Sequence, residues 1–310
     1  MSLISLQRTI RLVFPVLLCS FLLLSCNTGT IPAASSEAST RQASNSPVPT
    51  VETATPTATL APMALTVNGQ GVTLAEYNVQ KQQLLSAADT TGKTIGDEEI
   101  GELLNTYFIE VELLAQAAYK AGYNPSDTEL AEKLQALKEK VGGEEAFQNW
   151  LTVTGTSEEF FLLSFRRELA AQWQRDRITE EVGETAEQIH ARQILVDSAD
   201  EADQIYHQLQ GGLDFTELAA QYDPVTKGDL GWFPRGYLFL SEIEEKVFAL
   251  QPGQYTEVIH SDYGYHIVLV EEREEDHPLS EAARLQLTHL ALNNWLLEQK
   301  AASTIEVLLP

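Results

Sequence analysis

The run Gly228-Asp229-Leu230-Gly231-Trp232-Phe233, read together with the residues onward to Val270, decides the fold of the second half of the chain. It predicts a short β-like run bracketed by glycine turns. A helix is expected around Glu242 to Leu250, after which Pro252-Gly253 turns into Val258-Ile259. From Tyr265 to Val270 the pattern has period two, which is that of a strand: His266, Val268 and Val270 fall on one face, Tyr265, Ile267 and Leu269 on the other. Upstream, Gln193-Ile194-Leu195-Val196 reads as a short apolar strand. Ser198 with Glu201 caps a helix through Leu209, and Asp214 with Glu217 caps a second through Ala220. Strand, two helices, strand, helix, strand, strand describes a small antiparallel sheet covered by helices, an α+β unit.

Further toward the N-terminus the pattern is helical. Leu65-Thr66-Val67 and the turn pair Asn68-Gly69 open residues 63–185, and three capping boxes succeed them: Thr73 with Glu76, Ser126 with Glu129, Thr156 with Glu159. Ile100, Leu103, Leu104, Tyr107, Val111, Leu114 and Ala118 keep helical spacing, as do Phe161, Phe165, Leu169 and Trp173. Such stripes are core by composition. A client groove among these aromatics is the alternative that the sequence leaves open.

The first residues set the expected compartment. Arg8 and Arg11 precede an uncharged apolar run from Leu12 to Leu24, and its thirteen residues make a helix of roughly 20 Å, short for a ~30 Å hydrocarbon core. This is the form of a signal-peptide core, and Leu23-Leu24-Ser25-Cys26 resembles a bacterial lipobox. Residues 1–25 are therefore expected to be removed and Cys26 to carry a lipid. Cys19 lies in the removed segment, which leaves no disulfide and no cysteine nucleophile. Residues 26–62, rich in Ser, Thr, Ala and Pro, cannot bury enough apolar surface to order and read as a tether of roughly 35 Å. Removal of Arg8 and Arg11 takes the net charge from −25 to −27, a field that repels phosphate backbones, so no nucleic-acid partner is expected.

The order and spacing of five stretches over roughly ninety residues carry a resemblance: Gln193-Ile194-Leu195-Val196, Gly212-Leu213-Asp214-Phe215, Gly228 to Phe233, Val247-Phe248-Ala249-Leu250 and Tyr263-Gly264-Tyr265-His266-Ile267. Residues 186–275 resemble a parvulin-type (FKBP-like) peptidyl-prolyl isomerase domain with a four-stranded antiparallel sheet. The helical part resembles the chaperone domain of SurA/PrsA-type foldases. The resemblance implies that residues 276–310, a helix over Ser280 to Lys300 and a strand at Ile305, Val307 and Leu308, pack back on that helical domain. It implies an extracytoplasmic isomerase and chaperone for exported proline-containing clients, lipid-anchored to the membrane and without a cofactor. No exposed stripe demands an oligomer.

Carried over by motif, the proline pocket is Leu230, Leu238, Ile243 and Phe248, and the polar groups are His266, Gln193, Asp223 and Ser261. The reaction suits such a set. Rotation about X–Pro must break amide resonance against ~18–20 kcal/mol, but no bond is made or cleaved. An apolar hollow with a few polar groups that favours the twisted amide suffices, each ~1.4 kcal/mol of preference giving tenfold. This sequence departs from the family where Gln193 stands for the usual first histidine of His-Ile-Leu-Val. Its loop from Tyr222 to Gly228 is also short, which loosens the match of Asp223. Gln193 hydrogen-bonds but does not titrate. The alternative is a holdase that uses this domain only to bind peptide. With no His-Glu-x-x-His or similar spacing, no metal site is expected.

Overall fold

The computed structural model describes residues 61–238 and 240–309. The expectations for residues 1–25, Cys26 and most of the tether lie outside the described residues. By internal packing the chain divides into two units, the described parts of Met1–Ala170 with Ser303–Pro310, and Ala171–Ala302.

In the first unit, β1 (Met63–Val67) and β2 (Gln70–Thr73) form a hairpin. Asn68 and Gly69 take φ of 54° and 78°, the left-handed pair that a two-residue turn matched to strand twist requires. A third strand, β7 (Ile305–Val307), pairs antiparallel with β1, giving the order β2-β1-β7. After the hairpin come helices α1 (Leu74–Thr90), α2 (Asp97–Lys120), α3 (Asp127–Lys140), α4 (Glu144–Thr154) and α5 (Glu158–Glu180). Thr73 and Ser126 cap α1 and α3 as expected, each accepting the N–H three residues on. The cap of α5 is a correction: Ser157, not Thr156, accepts from Phe160, and the helix starts at Glu158. Leu134, Phe147 and Leu151 form a core satellite edged by Trp150, Phe161 and Phe165.

Arg167 crosses the interior of this unit between two buried acids, bonding Glu112 at 2.8 Å and also Glu76. Burial pushes the Glu112 carboxyl upward against the pull of Arg167.

The second unit contains, in order, β3 (Thr185–Val196), α6 (Ala199–Gln210), α7 (Phe215–Tyr222), β4 (Asp229–Pro234), α8 (Ser241–Phe248), β5 (Ile259–Ser261), β6 (Gly264–Pro278) and α9 (Glu281–Ala302). The sheet runs β4-β3-β6-β5, antiparallel throughout, so the α+β expectation with four strands holds. Its two faces bury different clusters. Ile189, Ala191, Phe233, Val268 and Val270 pack with Val247 of α8, while Ile194, Val196 and Ile267 pack with Ile205 of α6 and Leu218 of α7.

Two boundaries differ from the sequence reading. Strand β3 begins at Thr185 rather than Gln193, so His190 lies within it, and β6 runs on to Pro278. The extra ribbon is polar. Gln188 is buried and donates to the carbonyls of His277 and Pro278, and Arg273 pairs with Glu187, so no apolar alternation marks it. Helix α9 groups with the second unit, and strand β7 joins the first through its pairing with β1.

Candidate active site

Sheet register brings His266 to its partners. Leu195 of β3 lies opposite His266 of β6, which places Gln193, two residues away, diagonally across on the same face. On the other side Ile259 of β5 lies opposite His266, and Ser261 closes the hairpin against Gly264. The ring of His266, 4% exposed, therefore has Ser261 Oγ 2.8 Å from Nε2 and Gln193 Oε1 3.3 Å from Nδ1.

The proton positions come from donor chemistry. With the amide oxygen of Gln193 able only to accept, Nδ1 carries the proton. Nε2 then accepts from the Ser261 hydroxyl, whose oxygen takes the Tyr263 N–H at 3.1 Å. Burial lowers the pKa of His266, because desolvation penalises the imidazolium. The ring is thus held neutral near pH 7, in one tautomer. The amide nitrogen of Gln193 is not used in this relay.

Gln193 also borders an open cleft of about 240 Å³ with Leu195, Tyr222, Asp223, Thr226, Gly228, Asp229 and Leu230. Ser261 borders a second, of about 370 Å³, with Leu240, Ser241, Glu242, His260 and Asp262. His266 is joined through its two ring nitrogens to the walls of both.

Asp223 shares the first cleft but does not extend the imidazole relay. Its carboxylate accepts from the N–H groups of Val225, Thr226 and Gly228 at 3.0, 3.1 and 3.3 Å and from the Thr226 hydroxyl. Those bonds, the Thr226 hydroxyl foremost, hold its pKa below the usual value. It shapes the loop that ends in Gly228. There φ is +73° and an added Cβ would lie 2.0 Å from the Gln193 carbonyl oxygen, a close approach that glycine alone permits.

The four apolar residues lie in one cluster but not at one depth. Ile243 and Phe248 are 5% and 2% exposed and belong to the core, whereas Leu230 and Leu238 sit partly exposed on its edge. Phe248 is further covered by the Arg235 guanidinium, 4.3 Å above its ring. The apolar surface left open is that of Leu230 and Leu238, at the edge of the cluster that contains Ile243.

Glu244 is a residue that sequence reasoning missed. It is buried, and it accepts from the N–H groups of Gly236 and, at 3.2 Å, Leu238, so it holds the loop that presents Leu238. No linear signal marks it beyond an acid one place after an apolar helix residue.

On the opposite face of the sheet His190, Asp229 and Glu271 converge from three strands, with ligand-type atoms within 4.8 Å of one another. Among the described residues this cluster is the one that could hold a metal ion. Linear spacing could not announce it, because the ligands are 39 and 42 positions apart.

A buried neutral imidazole on such a sheet, beside an aliphatic edge, defines a parvulin-type isomerase domain. The family model described as the rotamase, or PPIC-type PPIASE, domain matches residues 191–272. The foldase protein PrsA of Caldanaerobacter subterraneus subsp. tengcongensis is 30% identical over 228 residues, 65% of this chain and 71% of its own. That of Geobacillus sp. (strain WCH70) is 41% identical over 98 residues, 30% and 35% of the two chains. A crystal structure of the peptidylprolyl isomerase PrsA from Bacillus anthracis aligns with a TM-score of 0.39 and 27% identity, covering 62% of this chain and 95% of that one. The chain belongs to the PrsA foldase family.

Proposed function

We propose that the second unit isomerises X–Pro bonds in exported, unfolded clients, with the proline ring seated against Leu230 and Leu238 and the relay Gln193–His266–Ser261 beside it. The observation that carries this reading is the buried His266 with both nitrogens engaged, bridging two open clefts. A fixed, neutral imidazole costs no reorganisation as the amide twists. The unspent N–H groups of Gln193, at the cleft wall, supply a donor for the carbonyl of a bound X–Pro unit.

In the same reading Cys26 carries the lipid anchor, residues 26–62 are the tether, and the site works outside the cytoplasmic membrane. No helix among the described residues is long and apolar enough to cross a membrane. The alkyl chains on a lipid-modified cysteine supply ~0.8 kcal/mol per buried CH₂.

The test is isomerisation of an Ala-Pro peptide by the intact chain and by His266→Ala, Leu238→Ala and Gln193→His. His266→Ala and Leu238→Ala lower the rate at least tenfold. Gln193→His keeps or raises it, because a histidine there restores a second imidazole beside the first. A rate equal to buffer for the unmodified chain leaves a client-holding function alone, which suppressed aggregation of a denatured client would then report.

A further inference from the structure

We propose that His190, Asp229 and Glu271 form a binding site for a first-row divalent cation, best matched by Zn²⁺, on the face of the sheet opposite His266. The three side chains come from adjacent strands β3, β4 and β6, and a bulge between His190 and Ala191 turns Glu271 toward the imidazole. Nδ1 of His190 lies 2.9 Å from Glu271 Oε2, and Nε2 lies 3.1 Å from Asp229 Oδ1.

Each carboxylate is held by a further partner. Arg192 Nε grips the other Glu271 oxygen at 2.8 Å, and the Gly231 N–H donates to Asp229 at 2.8 Å. The ring of Trp232, 5.6 Å away between centroids, borders the imidazole. Carboxylates fixed by a second ring of partners are the usual support of metal-bound imidazole.

Tetrahedral Zn²⁺ at 2.0–2.2 Å from N and O ligands needs those atoms roughly 3.4 Å apart. Here one such atom from each residue lies within 4.8 Å of the others; because the two carboxylates approach different nitrogens of the one imidazole, a metal taken by either nitrogen requires the more distant carboxylate to rotate toward it. The Asp229 side chain is 41% exposed, which leaves an entry path and a fourth position for water. One imidazole nitrogen with two carboxylates favours Zn²⁺ over Mg²⁺ and Ca²⁺, which prefer all-oxygen sites. The net charge of −25 concentrates cations at the surface.

The competing state is an imidazole paired with the two carboxylates and no metal, and the experiment separates the two. The chain, with any free cysteine alkylated and its metals stripped by chelator, is titrated calorimetrically with ZnCl₂ and separately with MgCl₂. One equivalent of Zn²⁺ binds and Mg²⁺ does not compete. His190→Gln weakens binding at least tenfold, and Arg192→Ala, which frees Glu271, weakens it about 10–100-fold. His277→Gln leaves the isotherm unchanged. X-ray absorption of the unmodified Zn²⁺ complex shows one imidazole among oxygen ligands, a readout that needs no variant to fold. Absence of saturable Zn²⁺ binding, an isotherm unaffected by His190→Gln, or two or more imidazoles around the metal would overturn the site.

Discussion

Replacing Gly228 by alanine tests how tightly the cleft is tied to the imidazole. The new Cβ would stand 2.0 Å from the Gln193 carbonyl oxygen and 3.1 Å from its carbon, both backbone atoms that cannot swing aside. Reaching even the 3.0 Å that real Cβ atoms respect requires a relative shift of 1.0 Å. The same two residues share the hydrogen bond from Gln193 N–H to Gly228 O at 2.8 Å, so the shift strains that bond as well. Gln193 Oε1 meets His266 at 3.3 Å, with little slack before the bond is lost. The overlap costs about 1–3 kcal/mol and the positive φ about 1–3 more. A displacement near 1 Å can lower a rate about 10²-fold. Gly253→Ala is the control: its φ is +83° but nothing lies within 4 Å of the new atom, so it bears the backbone term alone. Ala-Pro isomerisation and thermal unfolding of both variants are the assays. Equal rates for Gly228→Ala and Gly253→Ala would refute the coupling between loop and relay.

Three further outcomes rest on the same geometry. Because burial lowers the pKa of His266 below the 6.5 of the unfolded side chain, the unfolded state binds more protons between those two values. Stability of the second unit therefore falls as pH drops below about 6.5 and levels off once the folded imidazole is protonated; denaturant titration against pH shows the slope, and His266→Gln removes it. Glu244→Ala orphans the N–H groups of Gly236 and Leu238, costing about 1–3 kcal/mol, and raises KM for an X–Pro peptide more than it lowers kcat; an unchanged KM refutes the positioning role. Arg167→Ala leaves Glu76 and Glu112 buried without their cation and destabilises the first unit by about 3–5 kcal/mol. In that variant Glu112, already raised by burial, rises further, so the loss grows as pH climbs through the carboxylate range and shrinks in acid; unfolding midpoints at two pH values check the sign.

Local chemistry makes much of this legible in the sequence. Ser198 and Asp214 cap their helices where an acid three residues on marks them, and Asn68-Gly69 makes the turn its φ freedom allows. Motif alone points to Gln193, Ser261 and His266, and strand register brings Gln193 and Ser261 within hydrogen-bond reach of His266. What escapes is non-local. The polar outer ends of β3 and β6 are strands because they pair with each other, not because either alternates. Depth escapes too. By motif Phe248 is a pocket wall, yet Arg235 lies across its ring and the core surrounds it. His190, Asp229 and Glu271 meet because β3 lies between β4 and β6, an order the chain does not announce.

The pairing of β7 with β1 has a consequence for biogenesis. A polypeptide is made from its N-terminus, so residues 63–73 emerge as a lone hairpin whose outer edge waits for residues 305–307 some 230 positions later. Until then the whole isomerase unit can form while its neighbour's sheet stays unsealed, with bare amide and carbonyl groups open to any passing strand. A chain that assists the folding of others would thus pass through an interval in which it is itself vulnerable to mispairing.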